Sequence, residues 1–208
     1  MILVVGLGNP GGRYETTRHN AGFLVLDRLW ELAHAGGHAR RFEGEFSQAN
    51  WLGQRIALLK PMTFMNLSGR SVRRAAGFFQ LPPESILVVH DELDLPFGEL
   101  RLKQGGGDAG HQGLGSIIAE LGGAGFGRLR FGIGHPPADF GGTVSDFVLE
   151  AFTPTEREEL DARLERAVGA ITLVVRDGMA AAMNVVNQRN PSLLQADAPG
   201  ADAHKENT

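Results

Sequence analysis

The chain contains no cysteine. That excludes disulfides, thiolate metal sites and a cysteine nucleophile, and it fits a reducing compartment. No apolar run approaches the roughly 18–20 residues that a membrane span needs. No basic segment precedes the opening ILVVG and no small-residue cleavage site follows it. A signal peptide is therefore not expected, and the cytoplasm is the expected compartment, with no membrane partner. A G-x-S-x-G serine motif is also missing. What the chain has in excess is glycine, 29 of 208 residues, so tight turns and close backbone approaches are expected. The length suits one well-buried domain and is short for two. With 42% apolar and 21% charged residues the composition is that of a globular protein.

The net charge of −4 argues at first against an anionic partner. Its distribution reverses the argument. Residues 1–137 hold 14 Lys and Arg against 12 Asp and Glu, whereas residues 138–208 hold 6 against 12. Phosphate binding depends on local charge, so an acidic carboxyl-terminal third can conceal a basic surface.

Short β-branched or leucine-rich runs at Ile2–Val5, Arg55–Leu59 and Ile86–His90, each followed by Gly, Pro or Asp, predict buried strands. Apolar and basic residues alternate at Glu99–Lys103 and Arg128–Ile133, as in half-exposed strands. Phe46–Trp51 is expected to pair with its successor across Leu52-Gly53-Gln54. Helical periodicity covers Ala21–Ala35, Asn66–Phe79 and Gln112–Leu121. Thr153-Pro-Thr-Glu156 is a capping box that opens a long helix to about Arg176, and a further helix runs over about Met179–Asn187. Strands alternating with helices predict an α/β fold: a single domain with a mixed, largely parallel central sheet flanked by helices. The domain is expected over 1–190, with an irregular, disordered tail over 191–208.

Gly6-Leu-Gly8-Asn-Pro-Gly11 matches the dinucleotide fingerprint G-x-G-x-x-G after a strand. Pro10 removes an N–H from the turn that should cradle a pyrophosphate, and Asp27 falls within a helical pattern instead of ending a second strand. A nucleotide cofactor is not expected.

In an open α/β sheet, ligands bind beyond the carboxyl ends of the strands. Asn9, Asn66 and Asp91 follow three separate strands to that edge, and His19 lies on the connection leaving it. A histidine, a carboxylate and two amides suit activation of a water. Imidazole accepts the proton, Asp91 fixes the tautomer, and the amides hold the water or polarise a carbonyl. The reaction class is hydrolysis of an ester or amide. Each residue alone has an ordinary reading: His19 as an exposed or capping residue, Asn9 as a turn residue, Asn66 as a helix cap, Asp91 as part of an acidic turn. Their joint placement favours the chemical one. A glycine-rich run, Gly105–Gly115, precedes a helix and lets backbone approach an anion. Within it His111 either binds a ligand or anchors the loop. Arg101 with Lys103, and Arg128 with Arg130, share strand faces and suit phosphates. His90 and His135 are read as structural.

The segments VVGLGNPGGRYETTRHNAGF, LLKPMTFMNLSG, VVHDELDLPFGELRLKQGGG, GHQGL and RLRFGIGHP occur in this order. Together they closely resemble the bacterial peptidyl-tRNA hydrolase family over roughly residues 1–190. The resemblance implies a monomeric, cofactor-free and metal-free enzyme without an obligate protein partner. It would cleave the ester joining a peptide to the 3′-terminal ribose of tRNA. By motif position it implies His19 as base, Asp91 as its orienting partner, and Asn9 and Asn66 as positioning amides. Tyr14, Met65 and His111 would line the peptide or terminal-adenosine groove, and Arg101, Lys103 and Arg130 would hold tRNA phosphates. Two departures stand out. Gln112 replaces the family's usual Asn, lengthening a substrate-contacting amide by one methylene. Asp108-Ala109 puts a carboxylate into the glycine loop, where it should weaken anion contact. Residues 138–150 are a candidate lid. The competing readings are a non-catalytic RNA binder on the same fold and, less favoured, a dinucleotide enzyme.

Overall fold

The computed structural model describes residues 1–188. The tail expected over 191–208, and the domain end expected at 190, lie outside the described residues. Seven strands form one sheet: β1 (Ile2–Gly6), β2 (Ala39–Arg41), β3 (Gly44–Trp51), β4 (Gln54–Pro61), β5 (Ile86–Glu92), β6 (Leu100–Gln104) and β7 (Gly127–Gly132). Their order is β2-β3-β4-β1-β5-β7-β6. The central β4, β1, β5 and β7 run parallel, while β2, β3 and β6 are antiparallel to their neighbours. The sheet is thus mixed and largely parallel, as the pattern of runs predicts. β6 lies beyond β7 and runs antiparallel to it, since the link from Glu92 to Leu100 is too short for the helical crossover that a parallel strand needs. β2 has no counterpart in the sequence reading. All three of its residues are exposed, so no apolar alternation marks it.

The helices are α1 (Ala21–Leu32), α2 (Ser68–Phe79), α3 (Gln112–Leu121), α4 (Val144–Val148), α5 (Pro154–Asp177) and α6 (Met179–Val186). The strands of the sheet centre are apolar on both faces, which is why they read as unbroken apolar runs. Val4, Leu87 and Val89 pack with α1, α5 and α6 on one side. Leu3, Val5 and Val88 pack with α2 and α3 on the other. α5 is capped as expected, with Thr153 Oγ1 accepting from Glu156 N–H and the Glu156 carboxylate accepting from Thr153 N–H.

The glycines of the apparent nucleotide fingerprint have a packing use. α1 does not begin until Ala21, so the Gly6–Gly11 turn does not run straight into a helix as the fingerprint requires. A Cβ at Gly6 would lie 2.3 Å from Gly22 O, and one at Gly22 would lie 2.3 Å from Val89 O and 2.4 Å from Leu7 N. Gly6 and Gly22 let the start of α1 rest directly on β1 and β5, where Phe23 N–H donates to Leu7 O. His19, three residues upstream of Gly22, is thereby set beside the end of β5. Gly22→Ala should therefore destabilise the protein by about 3 kcal/mol through overpacking. Gly77→Ala, at an exposed α2 position with open space around it, should stabilise by about 0.5–1 kcal/mol. Urea midpoints at constant m value measure both.

Candidate active site

The carboxyl ends of β4, β1 and β5 border a cleft of about 560 Å³. Asn9, Asn66, Asp91 and His19 all line it, together with Tyr14 and Met65. The convergence expected from three separate strands is present, although Asn9 serves the scaffold as well as the cleft. Its side-chain Oδ1 accepts from Met65 N–H at 2.9 Å. Its own N–H donates to Asn20 Oδ1 at 2.8 Å, and Asn20 Nδ2 donates back to Asn9 O at 3.0 Å. Asn20 thus rivets the loop after β1 to the 3-10 turn Arg18–Asn20 that carries His19. The sequence reading passed over Asn20. Its signal was available: an amide between two buried elements must satisfy both its donor and its acceptor.

Arg18 was also passed over. It is only 3% exposed. Its guanidinium donates to Ala151 O at 2.8 Å, pairs with Glu156 at 2.9 Å, and lies 4.4 Å above the Phe147 ring. A single arginine therefore ties the turn bearing His19 to the segment 147–156. Residues 138–150 contain α4, capped by Thr143 and Asp146. Val144, Ser145 and Val148 of this segment form one wall of the cleft.

At the centre lies Asp91, 4% exposed. His19 Nδ1 is 3.0 Å from both of its carboxylate oxygens. His111 Nε2 is 3.0 Å from Oδ1. The partners of His111 settle its tautomer. Its Nδ1 accepts from the N–H groups of Gly113 and Leu114 at 3.1 and 3.4 Å, capping α3. A backbone N–H can only donate, so Nδ1 carries the lone pair and Nε2 carries the hydrogen given to Asp91. Asp91 then receives a second hydrogen from His19 Nδ1. Neutral His19 is left with an unprotonated Nε2 in a cleft-lining ring that is 13% exposed. His111, read as either a ligand contact or a loop anchor, performs the second task and also donates to the carboxylate.

The electrostatics follow from these contacts. Burial would push Asp91 up, but the two imidazoles, His19 before His111, hold it well below the ordinary carboxylate range. Burial lowers His19, and the charge and hydrogen bond of Asp91 outweigh it, so His19 stands above its ordinary 6.5. His90 is fully enclosed and donates through Nδ1 to Asp91 O at 2.7 Å. Burial first, then His111, depress it to about 3, so it is neutral and cannot compete for the proton. His19, Asp91 and His111 are also the one His/Asp/Glu group among the described residues with metal-ligand spacing, within 4.8 Å of one another. Here those atoms are all engaged in the proton network.

The remaining expected residues divide. Gln112 opens α3, exposed and cleft-lining, and its amide makes no hydrogen bond among the described residues. Asn66 is likewise exposed and bordering the cleft; the helix cap it resembled falls to Leu67 instead. Lys103 and Arg130 reach the cleft, Lys103 exposed and Arg130 paired to Glu92 at 2.7 Å. Arg101 does not reach it. Its guanidinium is bound to Glu99 at 2.6 Å and to the Asn187 carbonyl, so it fastens β6 to the end of α6. Arg128 also borders the cleft but is buried beneath the glycine loop. His135 is exposed and paired with Asp94.

A test of this arrangement is titration of the imidazole by NMR. His19 should titrate above 6.5 in the wild type. In Asp91→Asn both raising causes disappear while burial remains, so its pKa should fall below 6.5. An unchanged value would contradict the pairing.

The sequence model of the peptidyl-tRNA hydrolase family matches residues 3–193. The chain is 51% identical over 189 residues to the peptidyl-tRNA hydrolase of Sorangium cellulosum, covering 91% of this chain and 85% of the relative. It is 48% identical to that of Geotalea daltonii, covering 90% and 97%. The crystal structure of the Acinetobacter baumannii peptidyl-tRNA hydrolase superposes with a TM-score of 0.84 at 41% identity, covering 92% of this chain and 97% of that one. Family model, relatives and solved structure agree over nearly the whole length: this chain belongs to the peptidyl-tRNA hydrolase family.

Proposed function

We propose that this chain hydrolyses peptidyl-tRNA at the ester between the peptide and the 3′-terminal ribose, with His19 Nε2 as general base towards a water. The observation that carries this reading is the tautomer. With Nδ1 committed to Asp91, the basic lone pair of His19 belongs to Nε2 of a ring that borders the cleft. Asp91 holds the ring and stabilises the imidazolium that forms, as an orienting carboxylate does for a base. The free amides of Asn66 and Gln112, with the Nδ2 of Asn9, are the polar groups available to position the water and the ester carbonyl. Asn66 and nearby backbone acceptors would recognise the peptide N–H that distinguishes an N-blocked aminoacyl group from a free one.

Lys103 and Arg130 serve the tRNA phosphates in this reading, whereas Arg101 is left out because it does not border the cleft and both its terminal nitrogens are bonded elsewhere. Tyr14 and Met65 line the groove for the peptide or terminal adenosine. The mechanism assigns no step to a metal or cofactor. In this reading the enzyme works in the cytoplasm, where translation supplies the substrate, and it acts as a monomer without an obligate partner. No helix among the described residues is long and apolar enough to cross a membrane.

The experiment compares N-acetyl-aminoacyl-tRNA with free aminoacyl-tRNA. Wild type should cleave the first and spare the second, and His19→Ala should lower kcat by about 10²–10⁴-fold, the usual worth of a general base. The base works only when unprotonated and its pKa is raised. Activity should therefore increase with pH, with its midpoint above 6.5. Undiminished turnover by His19→Ala, or activity abolished by a chelator and restored by metal, would contradict the mechanism.

A further inference from the structure

Lys103 and Arg128 are Cα partners across β6 and β7, yet they do different things. Lys103 is exposed, whereas Arg128 is only 3% exposed. The two terminal nitrogens of the Arg128 guanidinium donate to the carbonyls of Gly106 and Gly107. The Phe126 ring lies 4.9 Å beneath it; burial disfavours its charge, which Asp108, next in the chain to Gly107, favours. The bonds to Gly106 and Gly107 use two of the five guanidinium N–H donors, and a side chain only 3% exposed offers little of the rest to a phosphate.

The loop it holds has few other ties. Gly105, Gly106, Ala109 and Gly110 all take positive φ, and most of its residues expose their surface. Its far end is closed by Asp108, whose carbonyl accepts from His111 N–H at 2.9 Å and whose Oδ1 accepts from Gly110 N–H at 3.0 Å. His111 in turn caps α3 and donates to Asp91. A continuous set of contacts thus joins Arg128 to Gly106 and Gly107, to Asp108, to His111, to Asp91 and to His19. Asp108 also lies against the first turn of α3, 3.0 Å from where a Gly115 Cβ would stand. There its charge complements the helix start as well as Arg128.

We propose that Arg128 is a positioning residue for the hydrolysis, clamping the glycine-rich loop so that His111 shares Asp91 with His19, and that Asp108 is the counter-charge of this clamp. The carboxylate that looked like a penalty on anion binding is then part of the loop's anchor. The inference rests on the hydrolase reading above. Wild-type turnover in the same assay tests that reading independently, and the comparison of variants with wild type tests the clamp.

The test is steady-state kinetics on N-acetyl-aminoacyl-tRNA across pH and salt for Arg128→Met, Arg128→Lys, Asp108→Asn and Lys103→Ala. Releasing the loop should lower kcat of Arg128→Met by about 10–100-fold, the scale of a misplaced catalytic group. KM should change little, and the salt dependence of tRNA affinity should match wild type. With His111 withdrawn, Asp91 is left to His19 alone, so the pH midpoint should move upward. Arg128→Lys keeps the charge but not the planar fork, and should also lose kcat; it carries the test if the methionine variant fails to fold. Asp108→Asn should show the same changes more weakly. Lys103→Ala, a phosphate contact, should instead raise KM and reduce the salt slope by about one. If Arg128→Lys keeps wild-type kcat, or if Arg128→Met loses salt slope like Lys103→Ala with its pH midpoint unmoved, Arg128 is a phosphate contact and the proposal is overturned.

Discussion

A buried carboxylate is tolerable only if its charge is met by donors, and Asp91 meets this condition with two imidazoles. Each is held by a different part of the fold. His19 arrives on the turn before α1, on one side of β5, and His111 arrives on the glycine loop before α3, on the other. The need to satisfy one acidic group therefore couples two loops far apart in sequence. It also orients both rings without using their remaining nitrogens in the same way. Nδ1 of His111 is spent on the start of α3, whereas Nε2 of His19 is left to the cleft-lining side of its ring.

The rest of the structure supplies the stiffness this requires. Gly6 and Gly22 allow α1 to seat against β1 and β5 at backbone distance. Asn20 and Asn9 join the β1 loop, the His19 turn and the turn at Met65 by three hydrogen bonds. Arg18 draws in the segment that walls the cleft. Buried polar groups cost stability unless they find partners, and the bonds these groups make fasten elements whose apolar packing alone would leave the loops free.

Much of this was legible in the residues. Strands buried on both faces give apolar runs, a capping box announces α5, and the edge rule puts Asn9, Asn66, Asp91 and His19 together before any coordinate is known. What escaped were matters of partnership. Nothing in the spacing says that Arg101 turns to Glu99 and Asn187 while Lys103, on the same strand face, reaches the cleft. Arg128 and Arg130 likewise share one alternation pattern, yet only Arg128 is buried under the loop. The exposed β2 has no pattern to read. The glycine fingerprint misled because the same residues serve close packing and phosphate binding alike. The resemblance to a known family pointed to His19 and Asp91, but the different partners of His19 and His111 required distances.

The central claim is that Asp91 receives hydrogens from Nδ1 of His19 and Nε2 of His111. Nitrogen-15 NMR of the imidazoles, in the free protein at a pH above the His19 midpoint, reads these tautomers directly. The account predicts His19 protonated on Nδ1 with Nε2 bare, and His111 protonated on Nε2 with Nδ1 bare. A hydrogen on Nδ1 of His111, or on Nε2 of His19, would contradict it.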